Sequence, residues 1–217
     1  MEMTRAWKAL VIALALVALG AGVGVYSARY YRPIDAAAVE GLLWPNPKPI
    51  QPFQVVDQSG GDFGLERLQG KWSFLFFGYT HCPDICPLTL SVMSEVRNRL
   101  DAEGSAGMPV QMLFVTVDPE RDSPERLAEY VHYFNDRLTG LGGTPQQVRS
   151  LTSQFGVAFF YGAPAENGSY LVDHSAAVFL TDPLGRLVGV LSAPHEAEAM
   201  FTRFAQIREF LRAWGQT

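Results

Sequence analysis

The chain has 217 residues, enough for one domain of ordinary size and an additional segment, and its 48% hydrophobic content is ample for a core. The formal net charge is −5 at pH 7, and the part from residue 33 onward carries 13 Lys and Arg against 21 Asp and Glu. Such an acidic body repels phosphate backbones, which argues against nucleic acid as a partner.

Residues 9–26, "ALVIALALVALGAGVGVY", form an uncharged apolar run near the N-terminus. A membrane-spanning helix needs ~17–25 residues, whereas the apolar core of a signal peptide has ~7–15. The run therefore predicts a retained transmembrane anchor, with a cleaved signal sequence as the alternative. Arg5 and Lys8 favour an N-terminus inside the cytoplasm and a body outside it. Because "MEMTRAWK" does not resemble an organelle transit peptide, we expect a bacterial inner-membrane protein whose domain lies in the periplasm.

The segment after the anchor is rich in proline and has no sustained periodicity, so it is predicted to be a tether. The sequence thus predicts four parts, namely a cytoplasmic N-terminus (1–8), a transmembrane anchor (9–26), a tether (27–52) and one folded domain (53–217).

The domain begins with a predicted β-hairpin, because "FQVVD" and "FGLERL" flank the turn "QSGGD". Two apolar runs, "WSFLFFGY" and "VQMLFVTV", have the length and aromatic content of buried strands. Between these strands we predict a helix from one apolar face with four-residue spacing, made by Leu88, Val92, Val96 and Leu100.

Two further helices are predicted from the residues that begin them. Ser123-Pro124 begins a helix through about Leu138, since proline is well accommodated at the first helical position. Thr144 and Gln147 have the spacing of a capping box and begin the next helix.

The end of the chain predicts two strands and a helix. "AAVFLTD" and "RLVGVL", joined by "DPLG", are typical of an antiparallel pair. A final helix is predicted from an apolar stripe made by Met200, Phe204, Ile207, Leu211 and Trp214. The order strand, helix, strand, helix, strand, strand, helix, with a hairpin in front, indicates an α/β thioredoxin-like fold.

The stretch "GYTHCPDICPLTLS", residues 78–91, contains both cysteines of the chain, Cys82 and Cys86. It leads from the carboxyl end of a buried strand into a helix, the edge at which open α/β sheets place their sites. Each cysteine precedes a proline, which disfavours the helical conformation, so we expect both cysteines in a loop and Pro87 as the first helical residue. The helix N-terminus should lower the pKa of the thiols.

Three uses of this cysteine pair are consistent with its spacing and compartment. The pair could exchange disulfides, it could bind Cu(I) or Zn(II), or it could form a disulfide that only fixes the loop.

A third ligand would favour the metal site, and His174 is the candidate. The stretch "VAFFYGAPAENGSYLVDHS" alternates around Asn167-Gly168, a strong hairpin signal, and this inserted hairpin brings His174 to the start of the strand "AAVFLTD". In thioredoxin-like folds the residue before that strand faces the cysteine loop, and thiol-exchanging members have a cis-proline there. Two thiolates and one imidazole suit a three-coordinate Cu(I) site.

The other histidines are weaker candidates. His132 and His195 are interpreted as surface or capping residues. His81 is a strained candidate ligand, because Cys82 beside it competes for the same geometry.

Three stretches, "GYTHCPDICPLTL", "VTVDPERDSPERLAEYV" and "LVDHSAAVFLTDPLGRL", resemble the signature blocks of the Sco/SenC family. The members of this family are copper-binding assembly factors for cytochrome c oxidase that have a single membrane anchor. The resemblance implies that Cys82, Cys86 and His174 bind copper, as Cu(I) with Cu(II) as an additional state. It further implies delivery of the copper to the dinuclear copper site of oxidase subunit II.

The same resemblance implies that Asp118 lies near the site and affects the metal state or partner docking. The alternative is a cap or turn residue before Pro119.

Two further partners are expected. Thiols outside the cytoplasm tend to oxidise and only reduced thiolates bind the metal well, so copper loading should depend on a thiol reductase. The second expected partner is another periplasmic copper carrier.

Two other functions remain open at this point. One is a thiol-disulfide oxidoreductase or peroxidase, which would reduce the copper-site cysteines of the oxidase, and the other is a redox or copper sensor. We expect a metallochaperone rather than an enzyme.

Overall fold

The structure, a computed structural model, describes residues 5–30, 39–102 and 109–215. The chain divides into two units, Met1–Ala38 and Val39–Thr217. Helix α1, Arg5–Tyr30, makes up the described part of the first unit. Within this helix, Trp7–Ser27 has a mean hydropathy of 2.4 and is long and apolar enough to cross a membrane, a test that a signal sequence also passes.

The second unit is a mixed α/β domain. Its elements are, in chain order, β1 (Lys48–Pro49), β2 (Gln54–Asp57), β3 (Asp62–Gly64), a short 3-10 helix (Leu65–Arg67), β4 (Trp72–Gly78), α2 (Ile85–Ala102), β5 (Val110–Thr116), α3 (Pro124–Phe134), β6 (Leu138–Gly142), α4 (Pro145–Phe155), β7 (Phe159–Tyr161), β8 (Val172–His174), β9 (Val178–Thr181), β10 (Arg186–Leu191) and α5 (Ala197–Ala213).

Eight of these strands form one sheet in the order β1-β10-β9-β4-β5-β6-β2-β3. Strand β4 pairs in parallel with β5, and β5 pairs in parallel with β6, whereas β9 runs antiparallel to β4 and to β10. Strands β7 and β8 form a separate two-stranded sheet. The thioredoxin-like fold is therefore confirmed, with both the opening hairpin (β2 and β3) and the inserted hairpin (β7 and β8).

The core is built on both faces of β4. All seven residues of β4 are buried, which is why this strand is a continuous apolar run in the sequence. On one face, Phe204 of α5 contacts Phe74, with ring centroids 5.0 Å apart. On the other face, Phe155 of α4 contacts Phe77 at 5.2 Å. Helices therefore cover both sides of the sheet.

Side-chain hydrogen bonds stabilise two predicted features, the turn of the opening hairpin and the N-terminal cap of α4. In the opening hairpin, Oδ1 of Asp57 accepts hydrogen bonds from the amides of Ser59 and Gly61. At the start of α4, Thr144 and Gln147 form the predicted capping box.

Strand β6 was not predicted from the sequence. The helix that begins at Pro124 ends at Phe134, not near Leu138, and strand β6 follows at Leu138–Gly142. Asn135 ends the helix with an extended backbone conformation. The two glycines in "LTGLG" weaken the strand pattern in the sequence, so only the pairing with β5 and β2 reveals it.

The buried face of α2 also differs from the predicted stripe. Leu88 is 59% exposed, whereas Leu90 and Met93 are fully buried. Residues spaced by four are offset by ~40° around a helix at each step, so a stripe with this spacing stays on the buried face for only about two turns. Trp214, the last residue of the predicted α5 stripe, is 52% exposed just beyond the end of that helix.

Residues 39–52, which were predicted to belong to the tether, lie on the folded domain. Val39 and Ile50 are each only 4% exposed, and β1 pairs with β10. Trp44 contacts Phe210 of α5, with ring centroids 5.2 Å apart. The prolines of this segment are compatible with a short edge strand, whose N–H groups need no partner. The rest of the predicted tether includes residues 31–38, which lie outside the described residues.

Replacement of Phe204 tests the packing of α5 on β4. Its ring is 1% exposed and lies against Trp72 and Phe74. Phe204→Ala should lower the free energy of unfolding by about 3–5 kcal/mol, since it leaves a cavity in the core. Urea unfolding of the full chain in detergent, followed by near-UV circular dichroism, measures this change. Phe160→Ala is the matched control, because Phe160 is 68% exposed. Equal losses in the two variants would contradict the packing described.

Candidate metal centre

The cysteine loop begins where β4 ends. The backbone at Gly78 lies so close to the sulfur of Cys86 that a Cβ atom at residue 78 would be 2.6 Å from it. Cys86 is fully buried, and Cys82 is half-buried on the loop, where its amide donates to the carbonyl of Tyr79. Both cysteines are free. Glycine at position 78 is therefore what allows the Cys86 sulfur to lie against the end of the central strand.

The position of Cys86 in the helix differs from the prediction. Helix α2 begins at Ile85, so Cys86 lies in its first turn and Pro87 is the third helical residue. The amides of the first turn have no acceptor within the helix, so a proline there loses no hydrogen bond, and its effect on the preceding residue is only a bias. Cys86 is consequently held by the helix, whereas Cys82 belongs to the loop.

His174 reaches the cysteines from the inserted hairpin. It is the last residue of β8 and pairs with Phe159 of β7, so it belongs to the hairpin itself rather than to β9, which begins at Val178. Its Nε2 lies 3.4 Å from Sγ of Cys86. The ligand atoms of Cys82, Cys86 and His174 all lie within 4.8 Å of one another.

The hydrogen bond at the other ring nitrogen orients His174. Nδ1 lies 2.9 Å from the carbonyl oxygen of Ser175, and because a carbonyl only accepts, Nδ1–H is the donor. In the neutral ring, Nε2 then carries the lone pair and faces the sulfurs. The rings of Phe76 and Tyr79 lie edge-on to the imidazole, at 6.0 and 5.8 Å. The hydrogen bond from Nδ1–H to a backbone carbonyl is typical of metal-binding histidines, because it fixes the tautomer of the ring.

The three donor atoms have a geometry suited to one metal ion. Sulfur and nitrogen atoms bound at ~2.0–2.3 Å to one ion are ~3.5–4 Å apart. The separations of up to 4.8 Å therefore need only a small contraction. Two thiol sulfurs and one imidazole form a soft donor set, which suits Cu(I) and also Zn(II).

The two thiols differ in their acidity. The pKa of Cys82 is lowered to about 3, chiefly because Cys86 donates a hydrogen bond to the Cys82 thiolate, while partial burial acts in the opposite direction. The pKa of Cys86 is raised by that same hydrogen bond, by burial and by the neighbouring negative charge of Cys82. The free pair therefore consists of one half-buried thiolate and one buried thiol.

Asp118 lies outside the cluster of ligand atoms. In the part of the chain that the structure describes, the group of three metal-ligating side chains comprises Cys82, Cys86 and His174. Asp118 is fully buried just after β5, where it forms an ion pair with Arg121 and accepts a hydrogen bond of 3.0 Å from the hydroxyl of Tyr170.

The other histidines also lie outside the cluster. His81, whose side chain is 45% exposed, contacts Thr80 and Asp122. His132 is hydrogen-bonded to Gln58 at 3.0 Å. His195 donates to the carbonyl of Ala176 at 2.7 Å.

A buried carboxylate next to the cysteine loop was not predicted from the sequence. Asp122 is 3% exposed and accepts hydrogen bonds from the amide and hydroxyl of Thr80 and from the hydroxyl of Thr116. It thereby ties the start of the loop to the end of β5. The available signal was "VTVDPERD", which places two aspartates after a buried strand, at the edge of the sheet where sites occur.

The sequence of the chain is similar to a known family and to several known proteins. The model of the protein family described as SCO1/SenC matches residues 45–209 of this chain. A "Putative copper-binding protein" of Stutzerimonas stutzeri is 37% identical over 174 residues, which cover 80% of this chain and 83% of that protein. "Protein SCO2 homolog, mitochondrial" of Bos taurus is 40% identical over 146 residues, which cover 67% of this chain but only 54% of that protein.

Two solved structures that contain copper have a similar fold. Yeast Sco1 with copper bound has a TM-score of 0.68 and 34% identity, and the match covers 75% of this chain and 90% of that one. Bradyrhizobium japonicum ScoI with copper bound has a TM-score of 0.65 and 33% identity, with 75% and 99% covered.

Alkylation at different pH values tests the unequal acidity of the thiols. The rate constant for iodoacetamide reacting with Cys82 should be nearly constant from about pH 5 to 8, because the thiolate already predominates above a pKa of about 3. In Cys86→Ala the hydrogen-bond donor is lost, the pKa of Cys82 rises, and the rate should increase ~tenfold per pH unit below the new pKa. Mass spectrometry identifies the alkylated residue. A tenfold rise per unit in the wild type as well would refute the assignment.

Proposed function

The chain belongs to the SCO1/SenC family, and on this basis we propose that it is a membrane-anchored copper chaperone. In this proposal Cys82, Cys86 and His174 bind copper, and the domain delivers it to the dinuclear copper site of cytochrome c oxidase subunit II. The observation that carries the proposal is the convergence of two sulfurs and one imidazole nitrogen within 4.8 Å. The copper-bound yeast and bacterial structures, at 33–34% identity, support it.

The two sulfur donors favour Cu(I), a soft ion, over harder divalent ions. The free pair carries one negative charge, because Cys82 is a thiolate and Cys86 retains its proton. When Cu(I) binds both sulfurs, the Cys86 proton leaves, so one unit of positive charge replaces another. A divalent ion would instead neutralise the site, so charge does not select Cu(I), and the preference follows from the soft sulfur donors.

The exposure of the ligands suggests an order of binding. Cys82 is half-buried and ionised, so it is the first ligand to meet an incoming ion. Cys86 then loses its proton to solvent, and Nε2 of His174 completes the coordination. Release to a partner reverses this order, because protons compete with the metal for Cys86. A site of low coordination number also leaves room for the ligands of a partner.

The proposed location is the bacterial inner membrane, with the domain in the periplasm. Trp7–Ser27 would be the anchor, and Arg5 and Lys8 would stay in the cytoplasm.

Copper binding requires free thiols, which oxidise readily outside the cytoplasm. The proposed partners are therefore a thiol reductase and another periplasmic copper carrier, in addition to subunit II. Asp118 is proposed to affect the metal state or partner docking from outside the ligand set.

A second candidate function is thiol-disulfide exchange, directed at the copper-site cysteines of the oxidase. The half-buried Cys82 thiolate, with its lowered pKa, favours it, because such a sulfur is a good nucleophile. A redox or copper sensor would use the same ligands and would differ in its partner.

An anaerobic Cu(I) titration against a competing chelator tests the copper site, using the reduced full chain in detergent. The wild type should bind one equivalent tightly, and Cys82→Ser or Cys86→Ser should abolish tight binding, because each removes a thiolate ligand. His174→Ala should weaken binding at least tenfold, about 1.4 kcal/mol. His132→Ala is the matched control, since His132 lies on α3 and bonds to Gln58. Unchanged affinity in both cysteine variants would end this proposal.

Insulin reduction and peroxide turnover separate the two candidate functions. A protein that only carries copper should be nearly inert in both assays, whereas an exchange enzyme should turn over through its half-buried Cys82 thiolate. Cys82→Ser gives the background rate in both assays, and thioredoxin gives the reference rate for insulin reduction. Wild-type turnover close to that of thioredoxin would instead favour the oxidoreductase.

A further inference from the structure

The hairpin that carries His174 is not part of the main sheet. Strands β7 and β8 pair with each other over three residue pairs and form a separate sheet. A two-stranded hairpin is at best marginally stable in water. The position of His174 therefore depends on what holds this hairpin against the rest of the domain.

Three hydrogen bonds join the hairpin to the segment that follows β5. The hydroxyl of Tyr161 donates to the carbonyl of Val117 at 2.8 Å. The hydroxyl of Tyr170 donates to Oδ1 of Asp118 at 3.0 Å. In the opposite direction, Nη1 of Arg121 donates to the carbonyl of Tyr170 at 3.0 Å.

Arg121 is the centre of this connection. Its guanidinium is ion-paired with the buried carboxylate of Asp118 and lies over the ring of Tyr170, 3.6 Å from the centroid. Only 21% of the Arg121 side chain is exposed. One planar group thus binds the carboxylate, the Tyr170 carbonyl and the Tyr170 ring together, which the fork geometry of arginine permits and the single amine of lysine does not.

The contact at Tyr170 is transmitted along β8 to His174. Alternate residues of a strand share a face, so Val172 and His174 point the same way, and Tyr170 lies two residues before this strand. Tyr79 supports this face from the cysteine loop, because its ring lies edge-on to the His174 ring, with the centroids 5.8 Å apart. Arg121 lies 5.6 Å from the same Tyr79 ring. A shift of Tyr170 would therefore move His174 relative to the sulfurs.

We propose that Asp118, Arg121 and Tyr170 form a latch that holds the β7–β8 hairpin, and with it His174, against the cysteine loop. The three are positioning residues, since they act on copper only through His174. The inference rests on the proposed copper site and adds the residues that set the place of its third ligand. The latch should therefore control the contribution of His174 to Cu(I) affinity and leave the two-sulfur contribution unchanged.

The test uses Arg121→Ala and Tyr170→Phe in the reduced full chain in detergent, titrated with Cu(I) against a chelator. Each should weaken binding about tenfold, the usual effect of removing a group that orients a metal ligand. In a His174→Ala background the same substitutions should change affinity less than about twofold, because residues that act through one ligand are not additive. A general loss of structure would give no such dependence on His174.

Hydrogen exchange of the copper-free protein is an independent measurement. The amides of Val172 to His174 should exchange roughly tenfold faster in Arg121→Ala than in the wild type, because local opening of the hairpin becomes easier. The amides of α5 should be unaffected. Unchanged exchange in β8 would overturn the latch.

Two matched substitutions serve as controls. Arg137→Ala removes another arginine that pairs with an aspartate, Asp101, at 2.8 Å and away from the hairpin. Tyr133→Phe removes a hydroxyl from a tyrosine that is 85% exposed. Both should leave Cu(I) affinity unchanged. If Arg121→Ala does not fold, Tyr170→Phe carries the test alone, since it removes only one hydroxyl.

The outcomes separate failure of the latch from failure of the copper site. If His174→Ala weakens binding but the latch variants do not, the latch is wrong and the copper site stands. Equal losses with and without His174 would also overturn the latch. If the wild type does not bind Cu(I) tightly, or His174→Ala has no effect, the proposed three-ligand site itself fails.

Discussion

The burial of β4 on both faces is the constraint on which the rest of the domain depends. All seven of its residues are buried, β5 and β9 pair with its two edges, and helices α4 and α5 cover its faces. A strand enclosed on four sides has a fixed direction and register, so its carboxyl end is fixed as well. The backbone leaves the sheet at Gly78 and turns into α2, and the cysteines lie in this turn. The central strand therefore determines where the metal centre can be.

The asymmetry of the two cysteines links this scaffold to the proposed chemistry. Cys86 is held in the first turn of α2 and buried against Gly78, whereas Cys82 lies on the loop with part of its surface in solvent. The buried thiol of Cys86 keeps its proton and donates it in a hydrogen bond to the half-buried thiolate of Cys82. In the free protein that proton occupies the place between the sulfurs that a metal ion would take. The shared proton thus stabilises the pair, and its negative charge remains available for an incoming metal.

Much of the fold could be predicted from the sequence, because the signals were local. The buried strands, the capping box at Thr144 and the Asn167-Gly168 hairpin each follow from a few adjacent residues. Strand β6 could not be predicted, since its glycines give no strand pattern and only pairing with β5 and β2 defines it. At the site, the three candidate ligands followed from spacing and family resemblance. The hydrogen-bond network through Arg121, Asp122 and Tyr170 could not, because it joins residues 42 and 49 positions apart whose contacts exist only in the folded chain.

The separation of the His174 hairpin from the main sheet has a kinetic consequence. Local opening of a small two-stranded unit costs far less free energy than unfolding the eight-stranded domain. The residence time of a bound ion is then governed by a rare local fluctuation, whereas the lifetime of the protein is governed by its core. These two timescales respond to different residues. Substitutions in or around the hairpin can therefore change the lifetime of the proposed metal complex while leaving the stability of the domain intact.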